Sequence, residues 1–308
     1  MDFRQILHVR HDGGVLAVTM PRRNTAYDGE QLQRMADSVD FWWHSIDFGH
    51  GVVTPGRKNP ALLVRELASM RLPDLHGKTV LDIGAWDGFF SFAAERLGAE
   101  RVLALDHHVW SVDIGKGIRY IEDCKKRGIS PARPEDTPNW QPDTLPGKRG
   151  FDTAHKALNS HVDTMVADFM TVGLEKVGAF DIVFFLGVLY HMQDPMGALT
   201  RVAAMTKELA IIETHAIAVP GYERFELAEF YSSAQLNGDP SNWWGPNRKA
   251  LEGMCLAAGF RRVEIALSVS NIPGVGSALR KVGRALEWAG RYALRSRQFL
   301  RVVAHAWK

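Results

Sequence analysis

From Thr79 onward, the sequence alternates short apolar runs with segments of helical periodicity. The apolar runs predict strands at 79–83, 101–106, 161–168, 180–187, 209–215, 261–267 and 301–307, with a helix over 88–97 after the first. Near-continuous apolar strands need cover on both faces, as in a parallel sheet flanked by helices. The pattern therefore predicts an α/β domain with a doubly wound, Rossmann-like sheet of seven strands.

The first 74 residues precede this pattern. Residues 6–18 alternate around Asp-Gly-Gly and predict a hairpin, while 28–45 and 60–71 have helical spacing on either side of a Gly/Pro loop. We divide the chain into residues 1–74, an extension that covers the cofactor or substrate, and residues 75–308, the domain that binds the cofactor.

Composition narrows the class of protein. The 308 residues carry a formal charge of +2, which argues against a strongly basic nucleic-acid-binding surface over the whole chain. Cys124 and Cys255 are the two cysteines, and no Cys/His cluster accompanies them, which indicates a reducing compartment and no metal site. Because we find neither a signal peptide nor an apolar run of about 20 residues, we expect a cytoplasmic protein without a membrane span.

The first strand of the domain ends in a turn bracketed by glycines, "TVLDIGAWDGFF". In an open α/β sheet, ligands bind beyond the carboxyl ends of the strands, where the strand order reverses. Gly84 allows a sharp turn, and Gly88 allows close backbone approach at the start of the next helix. Asp106 ends the second strand, where an acid can accept both ribose hydroxyls. The turn is therefore a candidate nucleotide site.

Two residues of this turn discriminate between nucleotides. Trp86 lies between the glycines and crowds the backbone that a pyrophosphate must approach, which disfavours an NAD-dependent oxidoreductase. Asp82 would repel a diphosphate but attract the ammonium group of a nucleoside that carries an amino acid. Both features favour S-adenosylmethionine (SAM).

Four segments together resemble class I SAM-dependent methyltransferases. They are "VLDIGAWDGFFSF", Asp106, the "AD" at 167–168 and "FFLGVLYHMQDP" at 184–195. More narrowly, "GVLYH" followed by Asp-Pro resembles the tRNA wobble-uridine (5-oxyacetic acid) carboxymethyltransferases and their uncharacterised relatives. The resemblance extends over about residues 46–260.

The resemblance implies a cofactor site for SAM, with S-adenosylhomocysteine (SAH) as product. The turn would face the methionine part, Asp106 the ribose, and Asp168 and Phe169 the adenine. Leu186 and Tyr190 would lie beside the sulfonium. The full set of candidates is Asp82, Gly84, Ala85, Trp86, Gly88, Asp106, His107, Asp168, Phe169, Leu186, Gly187 and Tyr190. Asp168 has the alternative role of capping a loop.

Departures from the carboxymethyltransferases bear on the transferred group. That family carries a Lys before its "I-D" segment, and a Trp and a Lys after it, to bind the extra carboxylate of its cofactor. Here Ala36 and His50 stand at the first two of these positions, and Arg301 alone matches a family arginine. We therefore expect ordinary SAM and methyl transfer, with carboxy-SAM as the alternative.

Methyl transfer is an in-line displacement, so the protein must mainly hold the acceptor near the methyl group in a dry site. A hydroxyl acceptor must also lose its proton. His191 is our first candidate for the general base because histidine titrates near neutral pH, and Tyr190 and Glu213 complete the catalytic candidates. In the alternative, His191 caps a turn and Tyr190 packs on the cofactor.

Aromatic residues cluster at 39–51 and 237–247, in "VDFWWHSIDFGHG" and "NGDPSNWWGPN". Loops at this edge of such a sheet build acceptor pockets. The substrate candidates are Trp43, His50, His215, Trp243 and Trp244. Ordinary packing of these aromatic residues is the alternative.

Two further segments are candidates for a functional role. Residues 131–146 hold five prolines, which excludes regular helix or central strand and favours a lid. Residues 276–301 have helical spacing with a basic face that includes Arg280 and Arg301, and they predict a helical insert before the last strand. The basic face of this helix would contact RNA or a membrane surface, or it would simply face solvent.

These observations favour a SAM-dependent O-methyltransferase that acts on a small aromatic or glycosylated acceptor. The "GVLYH" resemblance and the basic segment favour an RNA-modifying enzyme of the wobble-uridine kind as the alternative. A binding module that has kept the fold but lost the reaction is the third class.

Overall fold

The computed structural model describes residues 8–12, 15–19, 26–267 and 298–308. Its strands are β1 His8–Asp12, β2 Val15–Thr19, β3 Asp47–Gly49, β4 Val52–Val53, β5 Thr79–Ile83, β6 Arg101–Asp106, β7 Asp163–Val166, β8 Phe180–Leu186, β9 Thr206–Ala218, β10 Ala228–Phe230, β11 Trp244–Pro246, β12 Arg262–Leu267 and β13 Gln298–Trp307. Its helices are α1 Gly29–Asp37, α2 Pro60–Ser69, α3 Phe89–Arg96, α4 His108–Ser111, α5 Ile114–Arg127, α6 Arg149–Ala157, α7 Leu174–Val177, α8 Pro195–Met205 and α9 Arg248–Ala257.

Seven strands form the central sheet in the order β12-β13-β9-β8-β5-β6-β7, which confirms the predicted Rossmann-like fold. Strands β5 to β9 run parallel to one another. Strand β13 is the exception to the parallel pattern, because it pairs antiparallel with both β9 and β12. An apolar run has the same pattern in either direction, so periodicity does not report strand polarity.

Both faces of the sheet are buried, as the continuous apolar strands predict. Val80 and Leu81 are consecutive and fully buried, yet they belong to the cores on opposite faces. Leu32, Ala36 and Trp42 of the N-terminal part share the core that contains Val80. This part of the chain therefore packs on one face of the sheet around a common core.

The N-terminal part differs from its prediction in one helix. The hairpin β1–β2 and helix α2 form as predicted. Helix α1 begins with a capping box between Asp28 and Gln31 but ends at Asp37, so the predicted helix over 28–45 is too long. Beyond it, the carbonyl groups of Trp42 and Trp43 accept hydrogen bonds from the backbone of 57–58, which draws this segment away from helical pairing.

The two unusual segments have different outcomes. Residues 131–146 contain short 3-10 turns at Pro134–Asp136 and Pro146–Lys148 and neither long helix nor central strand, as the prolines predict. The predicted basic helix does not extend to Arg301, because 298–301 belong to β13. The remainder of that prediction, residues 276–297, lies outside the described residues.

Two findings concern the predicted location. In the part of the chain that the structure describes, no helix is long and apolar enough to cross a membrane. Cys124 and Cys255 are buried free thiols, and burial raises the pKa of Cys255 to about 12. The cytoplasmic location stays a prediction.

Candidate active site

The strand order reverses between β8 and β5, so a crevice is expected at the carboxyl ends of these two strands. The turn 84–88 follows β5, and residues 187–191 follow β8. A Cβ atom on Gly84, which has φ +81°, would lie 2.5 Å from Cγ2 of Val188. The two predicted motifs are therefore in direct contact at the switch point.

Trp86 fixes the shape of the turn. Its φ of +50° lies in the left-handed region that side chains seldom adopt. Its N–H donates to Asp106 Oδ2 at 3.0 Å, and its carbonyl accepts from Trp110 Nε1 at 2.7 Å. Its ring stacks on Trp43 with centroids 4.7 Å apart and planes within 8°. Backbone and ring contacts together hold this conformation.

Asp106 lies at the end of β6 and is 4% exposed. Besides Trp86, the N–H of Val109 donates to its carboxylate, at 3.1 Å. Burial raises the pKa of Asp106, and these backbone donors oppose the rise. Each carboxylate oxygen keeps a further lone pair, as a contact with hydroxyl groups requires. The neighbouring ring of His107 packs against Trp140, with centroids 5.5 Å apart.

Asp82 lies beneath the turn. It is 2% exposed, and Ser91 Oγ of α3 donates to its Oδ2 at 2.5 Å. Burial raises the pKa of Asp82 to about 7. This geometry makes Asp82 a support that joins β5 to α3, and the attraction of an ammonium group to it stays a prediction.

A buried histidine lies beside the turn, and sequence reasoning missed it. His44 Nδ1 is 2.5 Å from Asp87 Oδ1, while Asp87 Oδ2 accepts the backbone N–H groups of Trp43 and His44. The His44 ring lies between those of Trp86 and Phe89. Its Nε2 is buried without a hydrogen-bond partner among the described residues. Because unpaired buried polar atoms are costly, this atom indicates that a polar ligand group fits at the turn.

Gly187 marks the second half of the site. Its φ is +74°, and a Cβ atom at this position would lie 3.6 Å from Arg301 Nη2 and 3.9 Å from both Glu213 Oε2 and the Tyr190 hydroxyl. Glycine keeps this space open. Three polar groups from β9, β13 and the 189–191 turn therefore converge on one point beside the end of β8.

Glu213 and Arg301 form an ion pair between neighbouring strands. Arg301 Nε lies 2.6 Å from Glu213 Oε1, and Nη2 contacts the other carboxylate oxygen. The guanidinium also lies 4.8 Å from the centroid of the Tyr190 ring. Although burial opposes it, the charge of Glu213 raises the pKa of Arg301. Both carboxylate oxygens of Glu213 are therefore engaged by Arg301.

The two candidate histidines have different partners. Nδ1 of His191 lies 2.9 Å from Ser241 Oγ and 3.1 Å from the Ser241 carbonyl oxygen. Nε2 of His215 lies 2.9 Å from the Tyr231 hydroxyl. Burial lowers the pKa of His191, and burial followed by the charge of Arg301 lowers that of His215 to about 4. Both imidazoles are therefore neutral at neutral pH.

An aromatic patch of Phe230, Trp243, Trp244 and Phe299 lies near these histidines. Phe230 and Phe299 are each 50% exposed, and sequence reasoning missed both. Phe230 packs on Trp243 and Trp244 with centroids 6.1 and 4.9 Å away, and Phe299 lies 5.4 Å from His215. An aromatic residue that stands alone in a strand pattern carries no sequence signal for such a patch.

The Pro-rich segment reaches this patch. The guanidinium carbon of Arg133 lies 4.1 Å from the centroid of the Trp243 ring. Glu135 of the same segment pairs with His108, next to Asp106 and His107, at 3.2 Å. Residues 131–146 thus touch both the nucleotide side and the aromatic side.

The remaining candidates lie elsewhere or have ordinary partners. Trp43 packs on the turn, as described above, and His50 is exposed at the tip between β3 and β4, against Gly29. Asp168 accepts from Met170 N and Thr171 Oγ1, which is the loop-capping alternative. Of the other candidates, Ala85 and Phe169 are buried, and Leu186 is half-buried.

The sequence matches the methyltransferase domain family over residues 56–265, which contain the turn, Asp106 and the 187–191 segment. The chain belongs to this family. Relatives include the tRNA U34 carboxymethyltransferases of Idiomarina loihiensis, 26% identical over 63% of this chain and 49% of that protein, and of Pseudomonas putida W619, 24% identical over 65% and 51%. The chain spans about half the length of these relatives.

Solved methyltransferase structures share the fold. The N-terminal domain of EvdMO1, solved with SAH and D-fucose, has a TM-score of 0.53 at 17% identity, covering 93% of this chain and 99% of that domain. The sequence-based resemblance to class I methyltransferases is thereby confirmed. Family and fold together support a SAM-dependent methyltransferase, with SAM as its cofactor.

The residues present fit this cofactor. The unpaired Nε2 of His44 offers a polar contact at the turn, the open space at Gly187 is lined by polar groups, and Asp106 retains free lone pairs. The chemistry of these three groups suits a polar, hydroxyl-bearing cofactor such as SAM.

Proposed function

We propose that this methyltransferase transfers the methyl group of SAM to a hydroxyl oxygen of a small aromatic or glycosylated acceptor, in the cytoplasm. The observation that carries the proposal is the convergence at Gly187. The Tyr190 hydroxyl lies beside Gly187, at the edge of the sheet proposed to bind the cofactor. The next residue in the chain is His191, whose imidazole is neutral, and exposed aromatic side chains lie nearby.

We assign most of the cofactor contacts to residues at the ends of β5, β6 and β7. Turn 84–88 and His44 would hold the methionine part, Asp106 the ribose hydroxyls, and the segment at Asp168 and Phe169 the adenine. Ala167 N donates to the Asp106 carbonyl at 3.2 Å, so the ribose and adenine candidates lie at one edge. SAM, when bound, supplies a methyl group on a positively charged sulfur, which an acceptor oxygen displaces in line.

The protein has to orient the acceptor and take its proton. His191 is suited to the second task because its Nδ1 faces Ser241, which leaves Nε2 to accept a proton, and because burial keeps the imidazole neutral. Glu213 serves a different purpose: it balances Arg301, so that the open space at Gly187 is polar but carries little net charge.

The aromatic patch provides the acceptor surface. Exposed Phe230 packs on half-buried Trp243 and Trp244, and exposed Phe299 packs on His215. Flat rings or the apolar faces of sugars pack well on such side chains. Arg133 on Trp243 closes one side of the patch, which supports the Pro-rich segment as a lid.

The first test is cofactor binding followed by an acceptor screen. Calorimetric titration with SAM and with SAH should give micromolar affinity for both. Release of SAH is then followed with phenols, with hydroxylated sugars that include D-fucose, and with a tRNA transcript. Absence of SAM and SAH binding, with NAD bound instead, would overturn the proposal.

Modification of tRNA is the second candidate, and the resemblance to tRNA U34 carboxymethyltransferases favours it. Two structural features argue against carboxymethyl transfer. Ala36, at the position of the family's Lys, is fully buried in α1, and Arg301 is already paired with Glu213. RNA binding whose affinity falls steeply with salt, together with SAH release on tRNA alone, would favour this candidate over the small acceptor.

A further inference from the structure

The loop 239–244 is fastened to the segment that carries His191. Trp243 N donates to the Tyr190 carbonyl at 2.8 Å, and Trp244 Nε1 donates to the Gln193 carbonyl at 3.2 Å. Asn242 Nδ2 donates to the Asp239 carbonyl at 3.2 Å within the loop itself. The side chains of this loop are therefore held in a fixed position next to the imidazole.

Hydrogen bonds inside the loop determine where the Ser241 hydroxyl hydrogen points. Asp239 Oδ1 lies 2.6 Å from Ser241 Oγ and 2.9 Å from Ser241 N. A carboxylate only accepts, so the hydroxyl donates to Asp239. Its oxygen is left to accept from the next donor.

That donor is Nδ1 of His191, which faces two acceptors at once. The Ser241 hydroxyl oxygen is 2.9 Å away and the Ser241 carbonyl oxygen is 3.1 Å away. A carbonyl oxygen only accepts, so Nδ1 has to carry a hydrogen. In the neutral imidazole the lone pair then lies on Nε2, because the bond made by one ring nitrogen sets the state of the other.

The charges around His191 act on the same ring. Burial lowers the pKa of His191, Asp239 partly restores it, and the nearby His108 and Arg301 lower it further. Asp239 is thus the negative group that favours protonation of this imidazole once it has accepted a proton.

We propose that Ser241 and Asp239 are positioning residues that keep the hydrogen of His191 on Nδ1 and its lone pair on Nε2. Their kinetic consequence rests on the function proposed above, in which His191 is the base. The tautomer itself does not, because it can be observed in the protein without substrate.

The test begins with long-range proton–nitrogen NMR of 15N-histidine-labelled protein. The chain has 12 histidines, so the His191 signals are assigned by their absence in His191→Gln. The wild type should show the pattern of hydrogen on Nδ1. Ser241→Ala keeps the carbonyl acceptor but removes the shorter of the two bonds to Nδ1, so the fraction of the form with hydrogen on Nε2 should rise above its wild-type value. Ser241→Thr, which keeps the hydroxyl, should return this fraction to the wild-type value.

Ser232→Ala is the matched control. Ser232 is an exposed serine of the same connection, and its hydroxyl bonds Gln235. The Ser232→Ala variant should show the same His191 NMR pattern as the wild type. A wild-type pattern with hydrogen on Nε2, or a pattern that Ser241→Ala does not change, would overturn the inference whatever the activity.

Kinetics provide the second readout. Ser241→Ala should lower kcat by roughly tenfold, a part of the 10²–10⁴-fold that a positioned base contributes, with KM for SAM unchanged. Asp239→Asn can still accept from Ser241 but loses its charge, so the pH at half-maximal kcat should move to lower values. Full kcat in Ser241→Ala despite a changed tautomer would overturn the proposed base and leave the tautomer assignment standing.

Discussion

Gly187→Ala tests whether the space at the end of β8 belongs to the cofactor and acceptor site. The new Cβ would lie 3.6 Å from Arg301 Nη2 and 3.9 Å from Glu213 Oε2, which are ordinary contacts, so the protein itself accommodates the methyl group. A ligand that occupies this space in the wild type would collide with the new methyl group. Stability and binding should therefore respond to this variant separately.

The stability change can be worked out from the backbone. A φ of +74° costs a residue with a side chain about 1–2 kcal/mol. The lower entropy of the unfolded chain returns about 0.4–1 kcal/mol. The net loss of about 1 kcal/mol corresponds to a decrease in Tm of about 1.5 °C for a chain of 308 residues.

Gly128→Ala is the matched control. Its φ is +67°, and no atom lies within 4 Å of the new Cβ. Both variants should lose similar stability in a thermal melt. Gly187→Ala alone should weaken SAM binding in calorimetry by at least about tenfold, or 1.4 kcal/mol. Equal SAM affinity in the two variants would refute the placement of the site beside Gly187.

Three further outcomes are expected. Asp106→Ala should weaken SAM binding through loss of the ribose contact, whereas the exposed control Asp163→Ala should not; unchanged calorimetric affinity in Asp106→Ala would contradict the ribose assignment. His191→Ala should keep SAM affinity but release SAH at least about 10²-fold more slowly, with the exposed His161→Ala as control, and wild-type turnover would exclude His191 as the base. The pKa of Asp82 is about 7 in the folded protein and 3.8 ordinarily. Its contribution to the free energy of unfolding is therefore fully present below pH 3.8 and is lost as the pH rises through about 7, and this contribution is at most about 4 kcal/mol. Asp82→Asn should flatten that slope in denaturant unfolding between pH 4 and 7, and an unchanged slope would mean that Asp82 is ionised throughout.

The sheet was predictable because burial on both faces leaves a direct mark on the sequence. Strands β5 and β6 have the predicted bounds, since each is an apolar run with an acid in its last two positions. The direction of β13 and the end of α1 were not predictable in this way. Both depend on pairing with distant backbone, with β9 in the first case and with residues 57–58 in the second.

The site was predictable where backbone conformation demands a residue type. Gly84 and Gly187 have positive φ and lie at the ends of β5 and β8, as a glycine after a strand suggests. The partners of side chains were not predictable. His44 and Ser241 become significant only because Asp87 and His191 lie beside them in space, 43 and 50 positions away in the sequence.

The contact between Arg133 and Trp243 joins two connections that lie outside the seven-stranded framework, one between β6 and β7 and the other between β9 and α9. Substitutions, insertions or deletions in either connection can reshape the proposed acceptor side while the strands that carry the proposed cofactor residues stay as they are. In this arrangement, acceptor preference can diverge between descendants of one ancestral enzyme without renewed selection for cofactor binding.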